Sequence, residues 1–257
     1  MNVQTITVIG TGTMGLGIAQ VAAMGGFRTI LHDAKGEQIA KAVAVIQKNL
    51  TKAVELKKMA AEEVGPILAR IIPDPDFESA VKSSDMLIEA VPEIMDLKKS
   101  IFGLADRLMQ KDAVLATNTS GLSITEIGKA TSRPERVIGM HFFNPVHIMK
   151  LIEIIRSKDT SDETFKITEA VSHRMHKETV EVKESAGFVT SRVNALIGNE
   201  AFRMWDAGIA TPEDIDKALK LGLNHPMGPF ELVDLVGLDV RAASLGNLHT
   251  HLGPTYE

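Results

Sequence analysis

The stretch Gly10-Thr11-Gly12-Thr13-Met14-Gly15 constrains this chain more than any other. It closes the apolar run TITVIG (5–10) and opens the helical pattern LGIAQVAAMG. A second strand pattern, RTILHD (28–33), follows and ends in an acid, Asp33, 18 residues beyond Gly15. A lone G-x-G-x-x-G is a weak signal. Strand, glycine turn, helix, second strand and acid in this order is the context of a dinucleotide-binding βαβ unit. Gly10 permits the tight turn, Gly12 lets backbone approach a pyrophosphate, and Gly15 lets helix and strand pack closely. Thr13 and Met14 complete the loop at the helix N-terminus, whose N–H groups and positive dipole end suit phosphates. Asp33 can accept hydrogen bonds from ribose hydroxyls and would repel a 2′-phosphate, so NAD is expected over NADP. The alternative is a plain strand-turn-helix corner with a surface aspartate.

The rest of the first half repeats the alternation. Apolar runs at 85–91, 113–118, 136–142 and 151–156 read as strands, with helical patterns between several of them. Ile39, Val43, Ile46, Leu50 and Val54 recur at steps of four and three, one face of a helix over 35–58. Ser123 with Glu126, and Thr160 with Glu163, are S/T-x-x-E capping signals before two further helices. Such alternation implies an α/β fold with a parallel sheet. After about residue 185 the strands stop. GFVTSRVNALIGNEAFRMW (187–205) reads as one long helix. TPEDIDKALKLG follows, with Thr211 as cap, Pro212 at the first position and Gly222 as stop; two more helices come after it. The expected division is therefore 1–184, a Rossmann-like NAD-binding domain, and 185–257, an all-helical domain.

A net charge of −5 argues against a nucleic-acid surface, which needs a basic excess. With no cysteines, disulfides, thiolate metal sites and cysteine nucleophiles are excluded; no metal is expected. No uncharged apolar run is long enough to span a bilayer, and no basic segment precedes the first apolar stretch. The expected place is the cytoplasm, away from membranes.

A βαβ unit implies a dinucleotide but no reaction. In open α/β sheets ligands bind beyond the carboxyl ends of the strands, and three such ends carry polar residues. AVLATNTSG ends at Asn118 and Ser120, RVIGMHFFNP ends at His141 and Asn144, and MKLIEII holds Glu153 inside an apolar strand. A carboxylate there is costly unless paired. A histidine is a natural partner: the acid holds the proton on one ring nitrogen and makes the other a better base. Blander readings remain beside these: a core histidine at 141, an edge-strand residue at 153, a turn residue at 120.

With IEAVPE (88–93), NTSGLSITEI (118–127), GMHFFNPVHIMKLIEII (139–155), GFVTSR (187–192) and LGLNHPMGPFELVDLVGLD (221–239), the chain resembles the L-3-hydroxyacyl-CoA dehydrogenases over nearly its whole length, in particular the bacterial 3-hydroxybutyryl-CoA dehydrogenase type. The resemblance implies hydride transfer between NAD and an acyl-CoA substrate. It implies His141 as catalytic base, Glu153 as its orienting acid and Ser120 near nicotinamide and the substrate hydroxyl. Asn118 and Glu93 would line the nicotinamide-ribose region, with Asn144 on the loop beyond the base, and Lys98 would contact the cofactor. Lys52, Lys57 and Lys58 are candidates for the CoA phosphates, against the alternative of a solvated lysine face. A homodimer through the helical domain is implied as well.

The chain departs from the family pattern in two places. Ser191 stands where the family often has an asparagine that hydrogen-bonds the reacting substrate, and Asn194, on a similar helical face, can compensate. The family also usually continues beyond HLGPTYE with a further helix and a basic tail, so the second domain is expected to be C-terminally short. Two other functions stay open. One is a β-hydroxyacid dehydrogenase acting on a free acid, disfavoured because GFVTSRVNALIGNEA carries no lysine. The other is a non-catalytic NAD-binding homologue.

Overall fold

The computed structural model describes residues 2–256. The chain divides into two compact units, Met1–Glu184 and Ser185–Glu257. The first is built on β1 (Thr5–Ile9), α1 (Thr13–Met24), β2 (Arg28–His32), α2 (Gly36–Glu55), α3 (Ala61–Ala69), β3 (Ile71–Pro73), α4 (Phe77–Lys82) and β4 (Met86–Glu89). It continues with α5 (Met95–Leu108), β5 (Val114–Thr117), α6 (Ile124–Gly128), β6 (Val137–Phe142), β7 (Leu151–Arg156), α7 (Asp162–Arg174) and β8 (Glu178–Lys183). The eight strands form one sheet in the order β3-β2-β1-β4-β5-β6-β7-β8. The order reverses between β1 and β4, and at such a switch point the strand ends splay apart and leave a crevice.

Every residue of β1, β4, β5 and β6 is buried, as expected of strands covered on both faces by helices. One core cluster joins Val8, Ile88, Ile138 and Ile154 of the sheet to Ile18 of α1, Ile46 and Leu50 of α2 and Val171 of α7. Burying each such side chain contributes about 1.5–3 kcal/mol before entropy is counted. On α2 the buried face is Ile39, Ala42, Ile46 and Leu50; Val43 and Val54 of the expected stripe lie at its half-buried margin.

Four local expectations are corrected. The sheet is not wholly parallel: β7 runs antiparallel to β6. Residues 143–150 hold no helix, and a short link without a crossover element returns the chain alongside itself in the opposite direction. Two strands escaped the sequence reading, three-residue β3 and edge strand β8, whose ETVEVK is mostly exposed and charged. The cap of α7 is Ser161, which accepts from Thr164 N, while the Thr160 hydroxyl donates to Val137 O. At α6 the Ser123 half of the capping box forms, but the Glu126 carboxylate is drawn away to Lys99 and Lys129.

The second unit holds α8 (Thr190–Asp206), α9 (Pro212–Gly222), α10 (Pro229–Val236) and α11 (Leu238–Leu252). α8 begins at 190 rather than 187 because Gly187 and Phe188 take positive φ values of 70° and 49°, which a right-handed helix cannot include. Thr211 caps α9 as its sequence implies. The buried Asp216 carboxylate of α9 accepts from Phe230 N and Glu231 N, both at 2.9 Å, and so caps α10. No helix among the described residues is long and apolar enough to cross a membrane.

Candidate active site

At the β1–α1 turn the three glycines have separate physical reasons. Gly10 has φ +95°, and a Cβ there would lie 2.7 Å from Ala90 O. A Cβ on Gly15 would lie 1.8 Å from Gly10 O, so only glycine lets this turn of α1 sit on the loop. A Cβ on Gly12 would meet nothing within 4 Å. The loop is thus closed against its own protein at 10 and 15 and open at 12, where a phosphate can approach. Gly12 caps α1 without a side-chain hydrogen bond, and the first turn carries no acidic residue. The helix end keeps its N–H groups and partial positive charge for an anion.

A cleft of about 960 Å³ opens here, bounded by Gly10–Met14, Asp33 and Gln38, by Phe77 of α4, and by Leu97, Ile101 and Leu104 of α5. Its size and mixed lining suit a nucleotide. The Asp33 carboxylate accepts from Thr11 N at 2.9 Å, the Thr11 hydroxyl at 2.8 Å and Lys35 N at 2.9 Å. Burial alone would raise its pKa. The Lys35 and Thr11 hydrogen bonds outweigh that and hold it below the ordinary aspartate value. The acid therefore stays charged while it ties the second strand end to the glycine loop. These residues fit a dinucleotide.

Further along the sheet, β6 and the antiparallel β7 set His141 directly opposite Glu153. Glu153 has no solvent exposure and His141 only 8%. Their side chains meet with Nδ1 2.7 Å from Oε2. A carboxylate at this distance favours the tautomer that carries its proton on Nδ1. Phe143 packs against the imidazole, ring centroids 4.6 Å apart. Asn118, past the end of β5, accepts from Phe142 N through Oδ1 at 3.1 Å and so joins the two strand ends. The exposed Ser120 donates its N–H to Glu93 Oε1 at 3.0 Å. Asn144 is exposed and precedes a cis Pro145.

Lys98 lies at the start of α5. Its ammonium is fully buried in the protein, 2.7 Å from Glu89 Oε1 and 3.4 Å from Glu93 Oε2. It pairs with both neighbouring acids. Lys52, Lys57 and Lys58 are exposed at the end of α2, and Lys52 is paired with Glu55 at 2.8 Å. Ser191 and Asn194 belong to the second unit, half-buried three residues apart on α8; the Asn194 carbonyl accepts from Arg241 of α11 at 2.9 Å.

Sequence reasoning passed over Glu89 and Glu184. Glu89 sits in MLIEAV as Glu153 sits in LIEII, so the same signal, an acid inside an apolar strand, was there to be read. Glu184 accepts from the Ser123 hydroxyl and from Thr125 N and Oγ1, bolting the exit of β8 to the start of α6. No local pattern announces that contact.

The NAD binding domain of 3-hydroxyacyl-CoA dehydrogenase matches residues 5–185 as a family model, and the C-terminal domain of the same family matches 187–257. A 3-hydroxybutyryl-CoA dehydrogenase of Clostridioides difficile is 46% identical over 250 residues, 97% of this chain and 89% of that protein. The human mitochondrial hydroxyacyl-coenzyme A dehydrogenase is 41% identical over 242 residues, 92% of this chain and 77% of that one. The crystal structure of (S)-3-hydroxybutyryl-CoA dehydrogenase from Ralstonia eutropha superposes with a TM-score of 0.96 at 39% identity, covering all of this chain and 90% of its own. With its glycine loop, an acid at the end of the second strand and two family domains in order, the chain belongs to the NAD-dependent 3-hydroxyacyl-CoA dehydrogenase family.

Proposed function

We propose that the protein interconverts L-3-hydroxyacyl-CoA, with 3-hydroxybutyryl-CoA as the foremost substrate, and the corresponding 3-ketoacyl-CoA. The observation that carries this reading is the buried His141–Glu153 pair, 2.7 Å apart, at a strand end of the sheet that also bears the glycine loop. Bound along the cleft, NAD supplies the hydride acceptor for oxidation and, reduced, the donor for the reverse. The chain's own residues do the rest. Gly12, Thr13 and Met14 receive the pyrophosphate at the α1 N-terminus, and Asp33 takes the adenosine ribose hydroxyls. Glu93 and Asn118 line the nicotinamide-ribose end. His141 Nε2 takes the C3 hydroxyl proton during oxidation and returns it during reduction, while Glu153 balances the imidazolium. A base held this way contributes about 10²–10⁴ in rate. Ser120 donates to the same oxygen. Ser191 and Asn194 supply further hydrogen bonds to the reacting substrate, and Lys52, Lys57 and Lys58 meet the CoA phosphates as point charges.

Two coarser features join this reading. Ile209, Leu221, Leu223, Leu235 and Leu238 of the helical unit are each more than half exposed, apolar side chains that an interface would take out of water. A second copy covering them makes the homodimer. NAD and acyl-CoA are charged metabolites kept inside cells, and the cytoplasm is the proposed place of work.

The test is loss of NADH absorbance with acetoacetyl-CoA, beside free acetoacetate and an NADPH control. Oxidation with the CoA ester and NADH alone is expected. Equal rates with the free acid would favour a hydroxyacid dehydrogenase, and no turnover despite NADH binding would favour a non-catalytic homologue. Light scattering on an eluting column peak reads the oligomer; a monomer at micromolar concentration would remove the dimer from the proposal.

A further inference from the structure

Glu89, the last residue of β4, is a buried acid with no assigned part in the proton chemistry. It has no solvent exposure. Oε1 accepts from Val91 N and from Lys98 Nζ, each at 2.7 Å. Oε2 accepts from Lys98 Nζ at 2.9 Å and from the Thr117 hydroxyl at 2.6 Å. All of these donors come from the protein, so the carboxylate acts through its neighbours. Burial dominates and pushes its pKa above the ordinary glutamate value, against Lys98, Thr117 and Val91, which all favour the charged form.

From Glu89 the bonds run outward along two branches. Lys98 Nζ donates to the Asn118 carbonyl at 3.3 Å, and the Asn118 side chain in turn holds Phe142 N, next to His141. Lys98 also stands against Glu93 Oε2, whose other oxygen accepts from the Thr119 hydroxyl and from Ser120 N. A lysine has a flexible four-carbon stem and rotatable donors, so its ammonium stays where its strongest partner puts it. That partner is the two-oxygen grip of Glu89. The buried ion pair thus reaches the turn 118–120 through both branches, beside the bond from Asn118 N to the Glu89 carbonyl at 2.7 Å.

We propose that Glu89 is a positioning residue for the reaction: it fixes the Lys98 ammonium beneath Asn118 and Glu93 and thereby sets the nicotinamide-ribose end of the cleft. The inference rests on the reading of Glu93, Asn118 and Ser120 given above. An ion pair that merely fills the core would be dispensable once both charges are removed together, because neutral groups of similar volume replace such pairs at little cost to the fold.

The experiment compares the parent, Glu89→Gln, and Glu89→Gln combined with Lys98→Met. The readouts are melting temperature, NADH dissociation constant by fluorescence, and kcat and KM with acetoacetyl-CoA. Glu89→Gln is expected to melt lower and to bind NADH about tenfold more weakly. The double variant is expected to regain the parent's melting temperature but to keep the weakened NADH binding, with kcat down about tenfold and KM for acetoacetyl-CoA within threefold. NADH affinity equal to the parent's in either variant overturns the proposal. Where neither variant folds, Thr117→Val decides, since it removes one bond to Glu89 and leaves both charges. A threefold weaker NADH affinity at near-parental melting temperature supports the positioning role, and unchanged affinity overturns it. A parent that does not bind NADH refutes the cofactor reading itself.

Discussion

Replacing Glu153 by glutamine tests the acid–base pair at its least substitutable atom. The change keeps shape and volume, so the strand pairing of β6 with β7 survives. It removes a full negative charge 2.7 Å from His141 Nδ1 at a position with no solvent exposure. A hydrogen bond to a charged group is worth about 1.5–3 kcal/mol and a neutral one about 0.5–1.5 kcal/mol. The difference alone is roughly 1–2 kcal/mol. Two unit charges about 4 Å apart at an effective dielectric of about 20 interact by roughly 4 kcal/mol, which bounds the effect from above. The imidazolium that forms during oxidation thus loses about 1–4 kcal/mol, and kcat should fall roughly 5- to 900-fold. The glutamine can also turn its amide N–H₂ toward Nδ1 and select the opposite tautomer, which pushes the result to the upper end. The assay is steady-state NADH oxidation with acetoacetyl-CoA, with NADH affinity measured separately by fluorescence. A kcat within threefold of the parent, with NADH affinity intact, would refute the reasoning and leave Glu153 a structural acid.

Gly12→Ala meets open space and should cost the fold no more than about 1 kcal/mol, the scale of a helix-cap change, while weakening NADH binding at least tenfold; normal binding would remove the pyrophosphate from this loop. Gly15→Ala, with its Cβ 1.8 Å from Gly10 O, should instead lower the melting temperature sharply; an unchanged melting curve would contradict the described turn. Asp33→Ala should weaken NADH binding and relax discrimination against NADPH, and unchanged selectivity would sink the ribose assignment. Burial pushes the Asp106 carboxyl up, but the Ser132 N–H, the Ser132 hydroxyl and Arg133 outweigh it and hold its pKa below the ordinary aspartate value. A depressed acid stabilises the fold above the ordinary aspartate range and loses that contribution as pH falls through its folded value. The melting-temperature gap between parent and Asp106→Asn should therefore be full near neutrality and close in acid; a gap independent of pH would exclude this linkage.

The sequence was most legible where cause and consequence lie close together in the chain. The β1–loop–α1–β2 path depends on glycines, helix caps and alternating apolar runs, all local. The Glu153 carboxylate could be read because charge inside an apolar strand demands a partner, and the partner does stand opposite it at 2.7 Å. Glu89 carries the same signal and was missed because its partner, Lys98, carries an expected cofactor contact and nothing local in its helix points to a buried acid. Only the folded chain turns that face of α5 against β4. The direction of β7 was readable in principle, since 143–150 is too short for a crossover, but the regular alternation before it argued for another parallel strand. Edge strand β8 left almost no hydrophobic trace because only Val182 is buried. Contacts such as Glu184 to Ser123 join residues 61 apart in the chain and follow from no local rule.

The antiparallel step from β6 to β7 has a consequence for heritable change. Both members of the acid–base pair lie in one hairpin, between Val137 and Arg156, and their spacing is fixed by the rungs of a backbone ladder. Mutation can therefore remodel the helical unit while the His141–Glu153 pair passes on intact. A chain organised this way can drift through its helical half and still inherit the spacing of the buried pair unchanged.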